Sequence, residues 1–104
     1  MTPQDAGKVR VSFSDDPEQG RTVLITALTH RPQHLTQRLV AMGLLARSFG
    51  QLLVVTGAIE PQSDGTFADF TPACSHRSLA DATSHAKERF GTVFREFGIK
   101  PEYV

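Results

Sequence analysis

The side chains able to do chemistry fall into a few groups. Cys74 and His76 stand two apart, just ahead of a helix start at Ser78. In an extended segment alternate side chains point the same way, so thiol and imidazole share a side. An imidazole and a helix N-terminus both favour the thiolate, the germ of a Cys–His nucleophile. No third orienting group or oxyanion motif accompanies the pair. No catalytic residue is therefore assigned, and Cys74 reads as a small buried filler. His30 and His34 are four apart, but Pro32 opens a helix that leaves His30 outside it. With Cys74, His76 and His85 they make five soft or borderline ligands, at spacings that match no zinc pattern. No metal and no cofactor is expected. Asp81, Ser84 and His85 have the composition of a triad without its geometry. Helical neighbours one apart diverge, whereas residues four apart meet. Asp81 and His85 are expected to form a surface ion pair, worth about 0.3–0.5 kcal/mol.

Arg31, His34 and Arg38 gather at the start of the first helix, where free backbone N–H groups favour an anion. These three are the candidate anion- or nucleic-acid-binding residues. Arg47 falls about 180° around that helix from Arg38, so the arginines make no single stripe. Phe67 and Phe70 lie on opposite faces of a regular strand, and an exposed one could stack a base. The chain has no glycine-rich phosphate loop, dinucleotide fingerprint, nucleophile elbow or calcium loop.

The elements that must position these groups follow from periodicity. Lys8 to Phe13 alternates polar and apolar residues, a half-buried strand. A polar turn from Ser14 to Gly20 leads to a β-branched strand over Arg21 to Thr29, paired antiparallel with the first. A helix runs from Pro32 to about Phe49 and stops at Gly50. Leu35, Leu39, Met42, Ala46 and Phe49 share one arc of it. Val40 and Leu44 fall off that arc as surface neighbours four apart, and are the candidate partner-binding residues. Gln51 to Ile59 is a continuous apolar strand. A turn with Asp64-Gly65 returns the chain along Thr66 to Thr71, and Pro72 ends that strand. Ser78 caps a cleanly amphipathic helix over Leu79 to Phe97, closed by Gly98 and Pro101. The two helix ends, Gly43 to Gly50 and Gly91 to Gly98, match at four of eight positions. This is read as shared helix-termination chemistry rather than duplication.

The expected fold is α+β, a four-stranded, mainly antiparallel sheet in ββαββα order. Two helices pack on one face of it, which leaves the other face open. Residues 1–7 read as a flexible tail and 8–104 as a single domain, in keeping with 104 residues.

Composition narrows the function. Eleven Lys+Arg balance eleven Asp+Glu, which excludes a globally basic nucleic-acid binder. The single cysteine excludes an internal disulfide framework. No apolar run approaches the ~18 residues of a membrane span, and Met1 to Gly20 is too polar for a signal peptide. The zero is uneven along the chain. Residues 1–18 carry two bases and four acids, 19–59 four arginines and no acid, and 60–104 five bases and seven acids.

The leading expectation is a small, non-catalytic, cytoplasmic interaction protein: an adaptor, inhibitor, immunity-type or assembly factor. Its partner is another protein or a second copy of itself as a homodimer. The alternatives are a nucleic-acid or anion-binding accessory domain using Arg31, His34 and Arg38, and a small Cys/His enzyme or metal protein.

Overall fold

Alternation along the early strands decides which side of the chain is buried. The computed structural model describes residues 7–16, 20–70 and 75–104. The expected tail up to residue 6, Pro72 and Cys74 lie outside the described residues. The elements are β1 (Gly7–Asp16), β2 (Gly20–Thr29), α1 (Pro32–Ala41), β3 (Leu45–Phe49), β4 (Leu52–Pro61), β5 (Phe67–Ala68), β6 (Ser75–His76), α2 (Leu79–Glu96) and β7 (Pro101–Tyr103).

The fold is α+β with two helices, but the sheet is a curled, mixed one of seven strands. The expected four strands in ββαββα order are corrected by this finding. The sheet runs β6-β5-β4-β2-β1-β7, and β3 pairs with β4 off that path. All pairs are antiparallel except β1 with β7.

The largest difference lies in the first helix. It ends at Ala41, and Leu45 to Phe49 forms β3 instead. Gly43 is the reason. It takes φ +93°, its N–H donates to the Val40 carbonyl, and the Leu44 N–H donates to the Leu39 carbonyl. Those two bonds are the Schellman termination, which needs a residue that tolerates the left-handed region. A Cβ on Gly43 would lie 2.2 Å from the Phe70 carbonyl oxygen, so the site excludes larger residues twice over. Helix α2 ends the same way: Gly98 donates to Arg95 and Ile99 to Phe94. The equivalent helix ends are thus 39–44 and 94–99, not the expected octets. Gly50, with φ +63°, serves the tight turn between β3 and β4 rather than a helix cap.

One face of the sheet is dry. Val9 and Val11, Val23 and Ile25, and Leu53, Val55 and Ile59 alternate inward and meet Leu35 and Leu39 of α1 and Ala82, Ala86, Phe90 and Phe94 of α2. Each large side chain so buried contributes about 1.5–3 kcal/mol. Gly57 continues the inward row of β4. A Cβ there would lie 2.3 Å from Leu44 Cδ2, so its bare backbone makes room for Leu44. Helix α2 starts where Ser78 Oγ accepts the Asp81 N–H at 3.1 Å.

Cross-strand Arg21 donates to both oxygens of Asp15, and this holds the Asp15 carboxyl below the usual carboxylate range. A third Arg21 N–H donates to Thr83 Oγ, tying β2 to α2. At the far edge Tyr103 donates its hydroxyl to the Lys87 carbonyl, and burial pushes its phenol up from the ordinary value.

The helix end makes a sharp test. Leu44 is 2% exposed and Val40 51%. Leu44→Ala is expected to cost about 2–5 kcal/mol in urea unfolding, and Val40→Ala less than about 0.5 kcal/mol. Equal costs would mean that the helix carries on past Ala41.

Candidate functional site

Because both helices cover one face, every second residue of the central strands points away from them. The register lines these residues up in rows across the sheet. One row reads Phe49, Leu52, Leu28, Lys8, and the next reads Arg47, Val54, Thr26, Arg10, Glu102. A third reads Leu45, Thr56, Leu24, Ser12. Leu24, Leu28, Leu45, Phe49 and Leu52 are all exposed, Leu45 by 76% and Phe49 by 63%. These five expose on the order of 500 Å² of apolar surface, taking about 150–250 Å² for a whole large side chain. A typical monomer's largest apolar patch is about 300–600 Å² and is often functional. Bases Lys8, Arg10 and Arg47 stand among these apolar residues, with Glu102 beside Arg10. At the Lys8 end the face is dented by a hollow of about 220 Å³, walled by Lys8, Arg10, Leu28, Leu52 and Glu102.

The candidate partner-binding pair does not come together as a surface. Val40 is exposed on α1, whereas Leu44 lies beyond the helix and inside the core. Their expected adjacency rested on a helix running to Phe49. Leu45, Arg47 and Phe49 alternate with the period of a strand, a signal that competes with the helical arc through Ala46 and Phe49.

The basic group at the start of α1 is brought together, but two of its three members already have partners. Arg38 forms a two-pronged ion pair with Glu96, at 2.8 and 3.0 Å. Arg31 donates to the Phe97 carbonyl at 3.1 Å and lies 5.2 Å above the Phe97 ring. A cation on that carbonyl satisfies the C-terminal end of α2. His34 is exposed beside them. Arg31 and Arg38 therefore join α1 to the end of α2. Phe67 and Phe70 are half-buried against the core, and Phe70 stacks on Phe90 at 5.2 Å, so neither is presented for base stacking.

The histidines are rearranged as well. His30 Nδ1 lies 3.0 Å from the Gln51 side-chain amide. His85 does not pair with Asp81, as the helical spacing suggested. It lies 2.9 Å from Asp69 Oδ2, and His76 Nε2 approaches the same oxygen at 2.9 Å. Asp69 was not among the sequence candidates, because nothing in its spacing connects it to either histidine. It follows β5, His76 sits on β6 and His85 on α2, so only the fold unites them.

Comparison of the chain with protein-family models, with curated proteins and with solved structures gives no match. No described helix is long and apolar enough to cross a membrane.

If the basic residues join the helices, removing one should destabilise the fold. Arg31→Ala is expected to lower stability by about 1–2 kcal/mol, through the lost charged hydrogen bond and ring contact. Arg31→Lys should recover only part of it, because the ammonium lacks the planar fork. Denaturant unfolding of the three proteins decides this, and an unchanged midpoint for Arg31→Ala would refute the role.

Proposed function

We propose that this chain is a non-catalytic assembly protein that pairs with a second copy of itself through the uncovered sheet face. The observation that carries the reading is the row of exposed leucines and Phe49 on the side away from both helices. Leaving such a surface in water forgoes the free energy its burial would release, roughly 25 cal/mol per Å². An apolar sheet face is best covered by another sheet, because two twisted sheets stack aligned about 10 Å apart.

The layout of the face favours a copy of this chain. A two-fold axis along the strands, between β2 and β4, reverses each row over itself. The Phe49 end then lies on the Lys8 end of the second copy, at the hollow walled by Leu28 and Leu52. Leu52 meets Leu28, and Arg47 lies over Arg10 of the second copy, which has Glu102 as its neighbour one strand further out. Projection meets recess on both halves of the seam, as an isologous interface requires. A standard interface buries about 800 Å² per partner, of which the five apolar residues would form the centre and the threonines and arginines beside them the rim. The alternative anion-binding reading is less favoured, since Arg31 and Arg38 are engaged within the fold.

Light scattering during size-exclusion chromatography is expected to give twice the 11.4 kDa chain mass. Leu28→Glu and Phe49→Glu should each restore the single-chain mass without changing the circular dichroism spectrum, because both side chains are exposed in the single chain. A wild-type monomer throughout the micromolar range, or a dimer indifferent to both substitutions, would remove the proposal.

A further inference from the structure

Behind α2, on the helix side of the sheet, three potential ligands converge. We infer that Asp69, His76 and His85 form a binding site for one divalent cation of the zinc class. Asp69 Oδ2, His76 Nε2 and His85 Nδ1 all lie within 4.8 Å of one another. Both nitrogens stand 2.9 Å from the oxygen. Ligand atoms about 2.0–2.2 Å from a tetrahedral zinc ion are themselves about 3.3–3.6 Å apart, so opening these hydrogen-bond separations by about half an ångström would admit the ion. The two imidazole rings sit 4.9 Å apart at 43°, tilted so that one nitrogen of each faces the carboxylate.

The depth of the three groups points the same way. The Asp69 side chain is fully buried, while those of His76 and His85 are 15% and 29% exposed. The carboxylate forms a floor, and the imidazoles form a rim open to solvent. A buried carboxylate needs positive charge or hydrogen-bond donors close by. Two imidazole nitrogens face it at hydrogen-bond distance, and a divalent cation would take the place of protons on those nitrogens. Two nitrogens and one oxygen are borderline donors, which suit zinc and its first-row neighbours rather than calcium or magnesium. Three protein ligands leave a fourth position, here on the solvent side, for water or a small anion.

The ligands come from the segment after β5, from β6 and from α2. A bound ion would therefore pin the short outer strands to the long helix. Binding to the folded state alone raises the unfolding midpoint in step with free metal. This inference is independent of the pairing proposed above, since the cluster lies on the opposite side of the sheet.

The experiment is titration of the whole protein with zinc in a chelator-buffered solution, read by calorimetry and by thermal unfolding. Cobalt serves as a coloured probe of ligand geometry. The expected result is one equivalent bound, a midpoint that rises with free zinc, and visible absorption with cobalt typical of low coordination number. His76→Gln and His85→Gln should each weaken zinc by at least about 100-fold, beyond the usual cost of losing a mere supporting contact. His34→Gln should leave it unchanged. Glutamine keeps a donor for Asp69, and His85 lies at the rim, so His85→Gln decides the matter even if His76→Gln fails to fold. Absence of saturable binding would overturn the inference. So would an affinity that His85→Gln leaves intact, or one that His34→Gln abolishes.

Discussion

The antiparallel ladder between β2 and β4 governs the rest of this molecule. It runs from the Arg21–Ile59 pair to the Leu28–Leu52 pair without a break, and it places Val23, Ile25 and Ala27 on the same side as Leu53, Val55 and Gly57. Side chains alternate strictly along a strand, so this register commits one face to burial and leaves the other to solvent or a partner. Both helices lie over the committed face, where their buried residues join those of the strands in one core. A slip of one residue in β2 would send Leu24 and Leu28 inward and bring Thr22 and Thr26 with them.

That one-sidedness separates the two proposed surfaces. The uncovered face is broad and apolar, with bases standing among its apolar residues. The Asp69 cluster is small and polar, and lies beneath α2 where the sheet narrows to β5 and β6. Its position at the rim of the core explains how a fully buried carboxylate persists there. Two imidazoles from different elements reach it, and each retains some contact with water.

The uneven charge of the chain also finds its explanation in tertiary contacts. The acid-free stretch from residue 19 to 59 carries four arginines. Three of them meet groups from the flanking segments: Arg21 binds Asp15, Arg31 the Phe97 carbonyl, and Arg38 Glu96. Two of the four positive charges in the middle are thus paired with acids from the ends that fold onto it. The fourth, Arg47, stands on the open sheet face and makes no ion pair among the described residues. Exposed pairs such as Arg38 with Glu96 contribute only about 0.2–1 kcal/mol each, so the arrangement orients the helices more than it stabilises them.

Period and capping chemistry in the sequence determined the first two strands, the apolar fourth strand and the amphipathic second helix. Those elements have either clean alternation or a full 3.6-residue arc, and Ser78 and Gly98 mark the helix ends locally. The α+β class, the unpaired state of one sheet face and the pairing of the first two strands follow from those patterns. Tertiary structure alone decided where the first helix stops. Gly43 and Gly50 are both competent helix stops, and Leu45 to Phe49 reads equally well as helix or strand. The free edge of β4 resolves that ambiguity, because pairing with it satisfies a row of backbone groups that a longer helix would leave open. Tertiary structure alone also assembled Asp69 with His76 and His85. Those residues are seven and sixteen positions apart, across three elements, and no local rule of spacing reaches that far.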